Sequence, residues 1–160
     1  MTRTAAREIA VELGFAVSAA GQEPEAALDS FFEEEYYATL AGEGELYQEY
    51  PDKKQLAYIR ELVTGVIKRR EELDGYIEKY SRAWKVSRIS RTAVAVLRVA
   101  MYEVLYMDEV PDAAAINEAV ELAKGYDEAE TVSFLNGILG GFVRGEKPAA
   151  EIPAGTEESE

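Results

Sequence analysis

Six cations, Lys79, Arg82, Lys85, Arg88, Arg91 and Arg98, follow one another without a single carboxylate among them. Lysine and arginine in such a run neutralise phosphates, so the chemistry suggested here is polyanion binding. Nothing comparable points to catalysis. The 160 residues include no cysteine and no histidine, which removes thiolate nucleophiles, zinc-thiolate sites and the commonest general base together. Acid–base work would fall to Asp, Glu, Lys or Tyr, and no carboxylate pair stands out from an acidic background of 31. A binding protein is expected, not an enzyme, with no catalytic residue, no metal and no cofactor.

The formal charge of −14 is unevenly spread. Residues 52–98 hold 12 of the 17 basic residues and 6 of the 31 acidic ones, a net of +6 against −20 elsewhere. A bipolar molecule can offer one face to a polyanion while repelling it as a whole. Residues 22–50 contain neither lysine nor arginine and make an acidic flank. An apolar content of 48% is enough for a packed core, and no apolar run approaches the roughly 20 residues of a membrane span. The charged amino terminus has no apolar signal stretch, so a soluble, cytoplasmic protein is expected.

The elements that must position these charges read as helices throughout. Ala6, Ile9, Ala10, Leu13 and Val17 predict a helix over 3–19, stopped by Gly21, with Arg3 and Arg7 together beside the apolar stripe. Pro24 suits the first turn of a second helix over 24–41. Asp52 caps a long helical region with a break near 68–72, and the stripe of its second part runs Leu73, Tyr76, Ile77, Tyr80, Trp84. Ser90 caps a strongly apolar helix whose only charges from Ala93 to Met107 are Arg98 and Glu103. Helices over 111–124 and 128–144 complete seven, with Gly137 and Gly141 one turn apart on the last, placed for internal packing or for a homodimer seam. The fold class is all-α: a bundle in two lobes, forming one domain over 1–145, with a disordered acidic tail over 146–160.

From Trp84 onward the blocks W-x-x-x-R-I-S, V-L-R-x-A-x-Y-E-x-L-Y, D-E-V-P, A-I-N-E-A-V-E-L-A-K and F-L-N-G-I-L occur in order. With R-T-A-A-R-E-I-A at the amino terminus and Y-I-R-E-L-V-T-G-V at 58–66, they closely resemble the NusB family of transcription antitermination factors. The resemblance covers about 140 residues and implies a seven-helix protein binding the boxA element of ribosomal-RNA transcripts. Its implied partners are NusE, a small-subunit ribosomal protein, and the RNA polymerase antitermination complex. Carried over by position, the family's RNA contacts fall on Arg3 and Arg7, then on Arg98, Glu130 and Phe134. The basic run adds Arg88 and Arg91. The family's opening has more adjacent basic residues than this chain, and each lost phosphate contact flattens the salt dependence of binding by about one log–log unit. A NusB-like protein-binding scaffold with weak or no RNA binding is therefore the alternative.

Several candidates also have a structural explanation, and Arg3 and Arg7 could be an ordinary solvated edge of an amphipathic helix. Arg98, inside the most apolar helix, suits a half-buried salt bridge, and its five-residue spacing from Glu103 sends each to a different helix. Tyr76, Tyr80 and Trp84 could stack on bases but also suit a core stripe. Phe134 fits an apolar anchor equally, and Asn117 and Asn136 suggest helix-to-helix hydrogen bonding. Replacing Arg3 and Arg7 together by alanine is expected to weaken RNA binding by about 1–3 kcal/mol with little change in melting temperature.

Overall fold

The computed structural model describes residues 1–82 and 89–147. The chain opens with α1 (Arg3–Ala20), whose N-cap Thr2 accepts a hydrogen bond from the Ala5 amide and whose C-cap Gly21 adopts φ 65°, a left-handed conformation that suits glycine. Next come α2 (Pro24–Phe31) and α3 (Glu34–Ala38), then two 3₁₀ turns at Thr39–Glu43 and Glu45–Tyr47. Asp52 and Gln55 form a reciprocal capping box at the start of α4 (Lys53–Lys68), and α5 (Arg70–Ser81) follows the expected break. Ser90 caps α6 (Arg91–Tyr106), accepting from the Ala93 amide, before α7 (Asp112–Lys124) and α8 (Ala129–Glu146).

The described residues are helical without a strand, as the periodicity predicts, but they hold eight α-helices where seven were expected. The difference lies at 24–41. Phe31 has its ring within 6.0 Å of Phe32, Tyr36, Tyr37 and Tyr47, and Phe32 stacks on Tyr37 at 5.7 Å. An unbroken helix would spread these side chains around its circumference. The chain turns at Phe32 and Glu33 instead, and Tyr50 and Tyr37 donate their hydroxyls to the backbone oxygens of Phe32 and Glu49, fastening the irregular stretch. The last helix runs two residues beyond its expected end, and Lys147 after it donates to the Val104 carbonyl at 3.2 Å. Trp84 and the segment from 148 onward, expected to be the tail, lie outside the described residues.

Helix α6 is the axis of the bundle. From Ala93 to Val104 every residue is buried except Arg98, and α1, α4, α5, α7 and α8 all pack on it. Fully burying side chains such as Leu97 and Met101 stabilises the fold by about 1.5–3 kcal/mol each. Tyr76 and Tyr80 pack edgewise on Phe142 of α8, at 5.2 and 6.0 Å, so this pair serves the core. Gly141 meets Tyr80 internally, whereas Gly137 is open to solvent. No helix among the described residues is long and apolar enough to cross a membrane.

Candidate nucleic-acid interface

The amino-terminal end of α1 brings the first two candidates to very different places. Arg3 is exposed, and its guanidinium carbon lies over the Tyr58 ring, 4.1 Å from the centroid. Arg7 is 4% exposed. Its Nε and Nη2 donate to the two oxygens of Glu103, at 2.8 and 2.9 Å, and its Nη1 donates to Glu118 at 3.1 Å. The Tyr58 hydroxyl donates to Glu103 as well, at 2.8 Å, and Thr4 donates to Glu118. Glu103 thus accepts three hydrogen bonds from α1 and α4 while itself completely buried.

Burial disfavours the charge on Arg7, but hydrogen bonding to Glu103 and its negative charge outweigh that and hold the guanidinium pKa above its ordinary value. The same burial and the neighbouring carboxylate push the Tyr58 hydroxyl up. Arg7 is therefore a buried structural cation and does not share an exposed basic edge with Arg3. Replacing both by alanine cannot leave the melting temperature unchanged, because the Arg7 change strands Glu103. Of these two, Arg3 alone leaves its guanidinium exposed.

The remaining basic candidates lie elsewhere. Arg98 donates from Nε and Nη2 to the two oxygens of Asp74 on α5, at 2.8 and 2.9 Å, in a bidentate pair with both partners partly exposed. Arg98→Ala is expected to lower stability by about 1–3 kcal/mol in a denaturant titration, whereas Arg3→Ala is expected to leave the midpoint within experimental error. Arg91, exposed at the first position of α6, lines an open cleft with Arg98, Phe15, Ser18, Ala19, Val94 and Ile89. Ser18 is about 22 Å along α1 from Arg3 at 1.5 Å per residue. Arg3 and Arg91 thus mark two separate positions and do not converge on one patch. Arg88 lies outside the described residues.

The carboxyl-terminal candidates lie on α8, which forms one side of a third feature, an open groove between α7 and α8 that neither of them lines. Asn117, Glu121 and Lys124 form one wall, and Ala129, Val132, Ser133 and Asn136 the other. Glu130 is exposed in the first turn of α8, where a negative charge complements the helix dipole. Phe134 is half-buried against the core. Asn117 and Asn136, expected to bridge helices, are exposed on the groove walls, and no hydrogen bond holds them among the described residues. Helix α7 connects this groove to the α1 end, since Glu118 meets Thr4 and Arg7 while Asn117 faces the opening.

Tyr58, Asp74 and Glu118 were absent from the sequence-based candidates. Only Glu103 carried a visible signal: a lone carboxylate in the most apolar helix needs a cation from another element. No group of three or more carboxylates among the described residues could hold a metal ion.

Comparison with known proteins places this arrangement in context. The profile of the NusB family matches residues 4–144. The transcription antitermination protein NusB of Symbiobacterium thermophilum is 37% identical over 150 residues, 94% of each chain. That of Carboxydothermus hydrogenoformans is 39% identical over 140 residues, 88% of this chain and 91% of the relative. An 87-residue stretch is 55% identical to the Acetivibrio thermocellus protein of the same name, spanning 54% of this chain and 60% of that one. Among solved structures, T. maritima NusB superposes with a TM-score of 0.72 at 26% identity, covering 90% of this chain and 92% of that one.

Proposed function

This chain belongs to the NusB family, and from that premise we propose that it is a transcription antitermination factor, binding boxA-type RNA of ribosomal-RNA leaders together with NusE. The chain is not an enzyme; its relatives are named for transcription antitermination. The match over residues 4–144 carries the reading, because it reaches into every helix just described, leaving out only the first residue of α1 and the last two of α8. In this reading the matched region is one domain with two lobes about α6, working in the cytoplasm within the RNA polymerase antitermination complex.

The RNA contacts we assign are Arg3, presented on Tyr58, and Arg91, with Arg88 completing the basic run and Glu130 and Phe134 at the start of α8. Arg7 and Arg98 contribute by fixing α1 to α6 and α6 to α5, as positioning residues. A gel-shift titration of boxA-type RNA, with the chain alone and with NusE added, tests this. Binding by the pair at low salt is expected, and no binding there sinks the proposal. Arg3→Ala is expected to weaken that complex and to reduce its log–log salt slope by about one.

One observation favours the second reading, a protein-binding scaffold with little RNA affinity. Two of the five arginine candidates spend their charge on internal carboxylates. Tight NusE binding with no RNA contribution at any ionic strength would establish it.

A further inference from the structure

From Glu8 to Tyr50 the chain contains 11 carboxylates and no lysine or arginine. Most of the compensated ones in this stretch face away from the feature of interest. Glu25 and Asp29 on one side of α2 pair with Arg60 of α4, and Glu49 pairs with the terminal amine. Glu33, Glu34, Glu35, Glu43 and Glu45 are exposed and have no ion pair among the described residues. Helices α2 and α3 also end without a basic residue in the last turn, whereas the end of α1 is met by Arg70, which donates to the Ser18 hydroxyl at 2.8 Å.

Within this negative surface an open groove runs between the second half of α1 and α2. Leu13, Val17, Ala27 and Phe31 form its floor, and Glu23 lies on its rim. At its mouth stand Ala16 and Ala26, both exposed and too small to obstruct an approaching helix. Tyr36 closes one end and is 47% exposed. A monomer gains nothing by displaying a large aromatic ring beside an apolar trough, with the α2 N-cap Glu23 on its rim and the exposed Glu33, Glu34 and Glu35 immediately preceding Tyr36 in the chain.

We propose that this α1–α2 groove docks a cationic amphipathic helix of a protein partner, its apolar side on the alanine mouth and Tyr36, its lysines and arginines among Glu23 and Glu33 to Glu35. Charge decides the class of occupant. A nucleic acid is repelled by this flank, whereas a basic segment relieves its self-repulsion and gains apolar contact. The surface is separate from Arg3, Arg91 and the α7–α8 groove, so the inference goes beyond the RNA-binding reading.

The test is a ¹⁵N chemical-shift titration of the whole chain with a synthetic Leu/Lys amphipathic helix of about 18 residues, some five turns. Shifts are expected to concentrate on Ala16, Ala26, Ala27 and Tyr36. Filling the mouth with Ala16→Gln and Ala26→Gln should weaken binding at least about tenfold with an unchanged melting temperature, and Glu33→Gln with Glu34→Gln and Glu35→Gln should reduce its salt dependence. Affinity indifferent to the filled mouth, or shifts spread evenly over residues 22–50, overturns the proposal. So does a self-association mapping to this groove without peptide binding. The glutamine variants should bind boxA-type RNA like the parent, so failure here and failure of the RNA reading are separable.

Discussion

Glu103→Ala is expected to destabilise the fold by about 3–5 kcal/mol, the cost of leaving a buried charge without its counter-ion. Arg7 would keep its positive charge at 4% exposure with only Glu118, itself about one-third exposed, to answer it. The Tyr58 hydroxyl would lose its acceptor at the same time. A guanidinium chloride titration measures the loss. The informative companion is the double change Arg7→Met with Glu103→Leu, which removes both charges and keeps the volume. It should recover most of the lost stability, because a buried ion pair offers little net advantage over a packed apolar pair. If the double variant is no better than Glu103→Ala, the charge explanation is wrong and shape alone governs this site.

Gly65→Ala should cost about 1–3 kcal/mol, although alanine is the better helix former. A Cβ at position 65 would overlap Cζ, Cε2 and the hydroxyl oxygen of Tyr102. That ring cannot simply swing away: it is 7% exposed and packs on Tyr106, with 5.1 Å between centroids. Gly137 offers the control. It lies inside α8 with no atom near its missing Cβ, so Gly137→Ala should stabilise the protein by about 0.5–1 kcal/mol through helix propensity alone. Opposite shifts in melting temperature for the two substitutions would separate crowding from propensity. A rise for Gly65→Ala would mean that Tyr102 has room to move.

What could be read from the sequence was mostly what is decided locally. The Asp52 box, the Ser90 cap, the Gly21 stop and the burial of α6 each depend on residues within a few positions of one another, and each stands where its spacing predicts. The break after Phe31 was not legible. It answers to Tyr47 and Tyr50, whose approach is tertiary. Arg7 shows the same limit at the candidate interface. Arg3 and Arg7 lie one helical turn apart, and helical spacing alone makes them a single edge. Which of the two is covered depends on a carboxylate on α6 and another on α7, distant along the chain. Arg98 and Glu103 were better signalled, because their spacing on one helix is wrong for a mutual pair. The opposite outcome at Asn117 and Asn136 shows that an amide in a helix does not reveal whether another helix or open solvent faces it.

The buried carboxylate of Glu103 joins partners 96 and 45 residues away. Contacts of such separation close large loops, and their entropy must be met before the contact returns anything. Helices α6, α7 and α8, neighbours in sequence, can associate first over their apolar faces, with the charged junction to α1 forming after the rate-limiting barrier. The stability lost on removing Glu103 should then reside in the unfolding limb of a chevron plot, leaving the refolding rate nearly untouched. In that case the junction acts as a latch on the finished molecule, governing how long it persists once folded and not how quickly it arrives.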